Sequence, residues 1–258
     1  MLIQKMESII PTFIATTISQ LYCMKENIPF IRDGTKTIPK KIMINLRNMT
    51  IGIFLHSVLT TQFITFSTNM NPYEEIVRMG LYSLEIEFFL YWFHRFMHLN
   101  PWLYKNVHKE HHLEVVPSPA DAYILSMGES IILLSTYLLP LILGFDLTKR
   151  GVTIVQSTHL IMSILVHGGL KNVNHHMEHH AYFNVNYGGV YPFWDDMFNT
   201  RYIHTNNTKS IKVKQGEKSK NGHKIKLLKT QEKFSHGKKN PVKPIRYLKT
   251  KNLCIQYL

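Results

Sequence analysis

Apolar residues along this chain gather in long runs rather than in short alternating segments, which reads as helix and not as sheet. Residues 42–66, 76–98, 123–145 and 152–167 each form such a run. A membrane-crossing helix needs about 20 mostly apolar residues, and these four are read as spans. An earlier run, 9–24 (IIPTFIATTISQLYCM), is short and carries Thr, Ser and Gln. A span and a helix lying in the interface fit it equally well. Arg47, near one end of the first span, is expected to snorkel to the headgroups. Asn100-Pro101 is a helix-start signal, a capping side chain followed by Pro at the first helical position. It opens a short amphipathic helix through His112, which Pro117 and Pro119 end. Gly168-Gly169 stops the last run. The expected fold is all-α: an integral membrane protein with about four transmembrane helices.

Polar residues interrupt this pattern in a particular way. Nine of the fifteen histidines fall in two windows, HRFMHLNPWLYKNVHKEHH (94–112) and HHMEHH (175–180). At 100° per residue, His94 and His98 lie about 40° apart on one helix face. His108, His111 and His112 fit within an arc of about 100°, and His176, His179 and His180 repeat that spacing. His167 ends the last apolar run. Imidazoles presented on one stripe are what a metal site needs of a helix. His94, His98, His108, His111, His112, His167, His176, His179 and His180 suit two metals with several ligands each, or one metal with many idle neighbours. Iron, copper, nickel and zinc all accept imidazole, so ligand type does not name the metal. His159 and His175 stay undecided between ligand and structural roles. Carboxylates inside or beside the spans are candidates to accept from the distal ring nitrogens. Glu87, two helical turns before His94, is the best placed, and Asp195 is the second choice. Tyr91, Trp92, Trp102 and Tyr104 read as an interfacial aromatic belt.

Tracing the spans puts every histidine cluster on one membrane face. The basic loop 25–41 shares that face, while the linker STNMNPYEE opposite has no Lys or Arg. The positive-inside rule makes the histidine face cytoplasmic, a di-metal cap on the membrane domain. Lys149 and Arg150 fall on the opposite side and oppose this assignment.

Charge sharpens the domain picture. The chain has 30 Lys and Arg against 17 Asp and Glu, but 16 of the basic residues and only two of the acidic lie from Arg201 onward. The body is nearly neutral, and three segments follow: an N-terminal segment and basic loop (1–41), a membrane domain (42–203) and a basic tail (204–258). The tail's charge suits solvent or anionic lipid headgroups. No nucleic-acid-binding motif accompanies it. Two cysteines, Cys23 and Cys254, exclude a disulfide scaffold and a Cys-rich zinc site. The start MLIQKMESII lacks a signal-peptide pattern.

The order HxxxH, HxxHH, a His ending a later span, then HxxHH resembles the fatty acid hydroxylase/sterol desaturase superfamily of membrane di-iron oxygenases. EFFLYWFHRFMHLNPWLYKNVHKEHH and HHMEHHAYFNVNYGGVYPFWDDMF are similar to the corresponding parts of sterol C5-desaturases, or lathosterol oxidases. The match covers about residues 76–203. Four positions depart from the family pattern. Ser126 and Met127 stand at a His-Pro pair, with Glu129 retained. Asp196 stands at the Arg of WDR, and Asn199 at a Gly. These departures bear on substrate and on whether the protein is active.

The resemblance implies two iron ions held by the nine histidines, with zinc a substitute in purified protein. It implies O2 as co-substrate and oxidation of an unactivated C–H bond in a membrane lipid. No cytochrome b5-like segment is fused, so an external donor such as cytochrome b5 with an NAD(P)H reductase is expected, in the endoplasmic reticulum or another endomembrane. The leading expectation is an O2-dependent sterol desaturase of the C5 type in lipid biosynthesis. A fatty acyl or sphingoid-base hydroxylase is the alternative, and a non-catalytic zinc-binding membrane protein is the alternative from another class.

Overall fold

A computed structural model describes residues 9–168 and 175–202. Among them the regular structure is helical, with one isolated parallel bridge, Ser67–Thr148, and no strand. Five long helices run in order: α1 (Ile9–Lys25), α2 (Ile38–Phe63), α3 (Pro72–Leu99), α4 (Met127–Ile142) and α5 (Lys149–Val166). Two short ones follow, α6 (His175–Tyr182) and α7 (Phe193–Met197). The tail expected from residue 204, with His204, His223 and His236, lies outside the described residues.

The caps fix where the helices begin. The Asn71 side chain accepts from Tyr73 N, with Pro72 at the first helical position, and opens α3 earlier than its apolar run suggests. Thr148 accepts from Gly151 N and does the same for α5. Ser126 accepts from Glu129 N, so α4 starts four residues later than the apolar run, after a 3₁₀ turn over Pro119–Tyr123. Gly144, with φ of +95°, follows the end of α4 in a conformation that favours glycine.

α3 is the central element. Its middle packs on α4 and α5 through a core of Tyr82, Ile86, Leu141, Leu147, Val152 and Val155. α1 lies along α5, where Ala15, Ser19 and Cys23 are fully buried at four-residue spacing. Small side chains on one stripe let two helix backbones approach closely. The run first read as an isolated span or interfacial helix is thus a packed part of the bundle.

By length and composition, one helix among the described residues, over Ile38–Thr60, is long and apolar enough to cross a membrane; Met127–Ile142 is apolar but shorter. The apolar stretch of α3 contains Glu85, Glu87 and Arg95, and α5 carries Lys149 and Arg150 at its start. Charges at this end of α3 and α5 are paired: Glu75 receives both Arg150 and the Thr148 hydroxyl, and Arg78 pairs with Glu74 at 2.8 Å.

The basic loop 25–41 does more than face headgroups. Arg32 donates to the Pro117 carbonyl at 2.8 Å, and Lys36 pairs with Glu110 at 3.2 Å. Lys41 is buried, 2.6 Å from Asp121 and 3.3 Å from Glu114. Arg47, an exposed residue, donates to the Leu125 carbonyl at 3.0 Å. These cations clamp the 110–125 segment by pairing with its carbonyls and carboxylates.

Candidate metal centre

The helix expected to run through His112 is broken. Pro101–Leu103 is α-helical, Tyr104–His108 is a π turn and His111–Leu113 is 3₁₀. A π turn carries one residue more than an α-helical turn and re-aims the side chains after it. Here it sets His108 and His112 against α3, while His111 points elsewhere.

Among the described residues, nine imidazoles form two groups. His94, His98, His108, His112 and His179 make one; His111, His167, His176 and His180 make the other. Within each group one ligand atom from every residue lies within 4.8 Å of all the rest. Each HxxHH motif is therefore divided. The i, i+4 pair serves one group, and the histidine between them serves the other. At 100° per residue adjacent histidines point about 100° apart, so neighbours such as His111 and His112 cannot easily share an ion. The groups abut, with the His112 and His180 rings 4.6 Å apart and those of His94 and His176 5.6 Å apart.

Ring orientation tests whether metal fits. The Nδ1 atoms of His94, His167, His179 and His180 face the carbonyls of Tyr187 (2.7 Å), Ser163 (2.6 Å), Val185 (2.6 Å) and Glu114 (3.1 Å). His108 Nδ1 faces the Glu129 carboxylate at 2.7 Å. Carbonyls only accept, so those Nδ1 atoms carry the proton and each Nε2 presents a bare lone pair. Yet His94 Nε2 and His108 Nε2 are 3.1 Å apart. His108 Nε2 also lies 2.9 Å from the Nε2 atoms of both His98 and His112. In the second group, His111 Nε2 lies 3.2–3.4 Å from those of His180, His167 and His176. Lone pairs at these distances repel, and one N–H cannot serve three partners. Imidazole nitrogens about 2.1 Å from a shared cation would be roughly 3.0–3.4 Å apart for angles between a right angle and tetrahedral. The donor set fits a cation in each group.

Burial holds His108, His111, His112, His176, His179 and His180 well below the ordinary histidine pKa, and neighbouring imidazoles push in the same direction. The rings are neutral, the form that ligates metal.

The carboxylates stand one step further out than the sequence suggests. Glu87 touches none of the nine rings. It accepts from Val190 N (3.1 Å) and Tyr191 N (3.4 Å), and lies 3.5 Å from His159 Nδ1. Asp195 accepts from Tyr187 N and Gly188 N, both at 2.7 Å, and from the Thr200 hydroxyl. Both therefore hold the 187–191 loop, whose Tyr187 carbonyl orients His94. That loop is tight: a Cβ on Gly188 would sit 2.5 Å from the Tyr191 carbonyl oxygen. His159 and His175 belong to neither group. His159 Nε2 is 2.8 Å from the Ser83 hydroxyl, and His175 Nε2 is 3.1 Å from the Gly189 carbonyl. The carboxylate that does reach a ring is Glu129, and the signal for it was its retention beside the altered Ser126-Met127. Of the expected aromatic belt, Trp92 and Trp102 are exposed, whereas Tyr91 is fully buried and bonds Thr200.

A cavity of about 560 Å³ lies between α2, α3, α4 and α5. His94, His108, His111, His167 and His176 form part of its wall. Its lining follows α5 from Lys149 to His167, about 27 Å of helix at 1.5 Å per residue. Leu125, Leu133, Val152, Leu160 and Val166 make most of that wall apolar.

The fatty acid hydroxylase family matches residues 79–200. The chain is 27% identical to a Delta(7)-sterol 5(6)-desaturase of Aspergillus fumigatus, over 72% of this chain and 57% of that protein. It is 30% identical to a Delta(7)-sterol 5(6)-desaturase of Leptosphaeria maculans, over 43% and 35%. With the lathosterol oxidase of Homo sapiens it shares 25% identity, over 57% and 53%. The alignments thus span about half the length of these relatives. No solved structure matches the chain. The whole nine-imidazole centre, from His94 to His180, falls inside the region that is similar to the fatty acid hydroxylase family.

Proposed function

We propose that this protein is a membrane-bound, O2-dependent oxidoreductase that introduces the 5(6) double bond into a sterol. The observation that carries the proposal is the meeting of two imidazole groups with an elongated apolar cavity. The similarity to Delta(7)-sterol 5(6)-desaturases and lathosterol oxidase supplies the substrate class. Structural zinc uses four ligands, and nine imidazoles in adjoining groups exceed that need. Two iron ions are the proposed occupants, one held by His94, His98, His108, His112 and His179, the other by His111, His167, His176 and His180. Iron supplies the redox chemistry with O2 that zinc cannot.

The overall reaction balances as follows. Two hydrogens leave adjacent carbons; O2, two electrons and two further protons are consumed; a double bond and two waters form. The electrons are proposed to come from an external donor such as cytochrome b5 with an NAD(P)H reductase. The chain's own part is to aim one C–H at the metals and keep water away. Glu129, Tyr187 and Val185 hold rings, while the cavity wall aligns the lipid.

A bilayer setting is supported by the outward faces of the helices. Phe54, Phe63, Ile76, Val77, Phe96 and Leu143 are all more than half exposed. We place the histidine groups on the cytoplasmic side of four spans, in the endoplasmic reticulum or another endomembrane. The pairing of Arg150 with Glu75 lessens the weight of the basic residues on the opposite face. The test is expression in a host lacking sterol C5-desaturase, read by sterol profile. The 5,7-diene is the expected product; hydroxylated sphingolipid or fatty acid in its place would sink the sterol reading.

A further inference from the structure

Tyr123 Oη and Glu129 Oε2 are buried in the cavity wall, and neither has a hydrogen-bond partner. Buried polar atoms are rarely left so. Both sit at the histidine end. Glu129 touches His108 through its other oxygen. Tyr123 closes the 3₁₀ turn that begins at Pro119, and Pro119 packs against Gly168, the residue after His167. Asn48 fixes the turn by donating to the Tyr123 carbonyl at 2.8 Å. His56 Nε2 is also buried and unpartnered in this wall. It lies eight residues further along α2, about 12 Å deeper.

A phenol donates one hydrogen bond, and a carboxylate oxygen accepts. A lipid hydroxyl offers the complement of both. In a sterol the 3-hydroxyl is separated from C5 by only two carbon–carbon bonds beyond its own carbon. A site oxidising C5 must therefore hold that hydroxyl beside the metals and leave the tail in apolar surroundings. The pair at the histidine end meets this condition, and His56 does not.

We propose that Tyr123 is a specificity-determining residue that donates a hydrogen bond to the hydroxyl of a lipid alcohol, with Glu129 Oε2 as the acceptor on the same wall. This rests on the sterol reading above. Tyr123 acts by positioning: it registers the ring system so that one particular C–H faces the imidazole groups.

The test is equilibrium binding of a Δ7-sterol and its 3-deoxy counterpart to the full chain in nanodiscs, for the unmodified protein and for Tyr123→Phe. The unmodified protein is expected to bind the alcohol about 30-fold to 100-fold more tightly than the deoxy sterol, the worth of two hydrogen bonds. Tyr123→Phe is expected to cut that preference by about fivefold to tenfold, the share of one bond, and to leave deoxy-sterol affinity unchanged. Equal binding of the two sterols by the unmodified protein overturns the anchor while leaving the sterol reading in place. A loss for both sterols in Tyr123→Phe overturns it too, since that marks a packing role. If the unmodified protein binds neither sterol, the sterol reading fails and the anchor with it.

Discussion

The division of each HxxHH motif between two groups can be tested by removing equal numbers of histidines in two ways. His111→Ala with His180→Ala takes two of four imidazoles from one group and leaves the other's five intact. His108→Ala with His111→Ala takes one from each group. Four-ligand zinc sites are worth roughly 10–16 kcal/mol, or ~3 kcal/mol per ligand. The first variant therefore loses ~6 kcal/mol at one site, roughly 10,000-fold in affinity, and keeps the other site whole. The second loses ~3 kcal/mol at each, roughly 150-fold. Protein reconstituted with ferrous iron without oxygen and challenged with graded chelator should show this difference in metal content. The first variant should hold one ion where the unmodified protein holds two. The second should hold two, each released at lower chelator concentration. Helical content by circular dichroism guards against unfolding. If each motif instead served its own ion, the HKEHH variant, His108→Ala with His111→Ala, would lose one ion outright. That outcome, or identical release curves for the two variants, would refute the grouping.

Three further outcomes follow from particular contacts. Glu129→Leu removes a carboxylate that lies against the His108 ring, and metal affinity should fall about 10- to 100-fold, the usual cost of losing such a partner; Glu129→Gln, whose amide oxygen can still accept from His108 Nδ1, should lose far less in the same chelator titration. Lys41→Met leaves Asp121 and Glu114 buried without their cation and should destabilise the metal-loaded protein by about 3–5 kcal/mol; adding Asp121→Asn should recover part of this in urea melts, and unchanged stability in Lys41→Met would contradict the clamp. Asn199 has φ of +53°, a left-handed backbone that Gly and Asn adopt most readily; Asn199→Ala should cost about 1 kcal/mol and Asn199→Gly stay within about 0.5 kcal/mol, so a thermal shift of equal size in both would remove the backbone explanation.

Much of the fold was legible because the long helices announce themselves by apolar length, and the caps Asn71, Ser126 and Thr148 only moved their ends. What could not be read was pairing between distant segments. Lys41 looks like any basic residue before a span, and its burial depends on Asp121, 80 residues away. Ala15, Ser19 and Cys23 read as weak apolarity until α5 is laid against them. The departures from the family pattern have local explanations that a residue count hides. Ser126 caps α4 and so orients Glu129, and Asn tolerates the left-handed backbone at 199 better than most side chains.

At the site, helical arithmetic brought out the histidines but merged what the fold separates. It placed three imidazoles of each HxxHH on one stripe, and an arc of about 100° is wide enough for two neighbouring rings to serve different ions. Which ring goes to which group depends on the π turn before His108 and on where α6 meets α3 and α5, and neither has a sequence signal. The same limit explains Glu87. Two helical turns before His94 is the right face, but the 187–191 loop contacts both side chains, so the carboxylate holds backbone N–H groups while the Tyr187 carbonyl takes the ring. A carbonyl orients an imidazole as a carboxylate does, without adding a negative charge beside the ion. In this centre Glu129 is the only carboxylate seen in contact with a ring of either group among the described residues, so the two groups differ in what orients their rings as well as in ligand number. The five-imidazole group is oriented at His108 by a carboxyl side chain, whereas the four-imidazole group is oriented at His167 and His180 by backbone carbonyls.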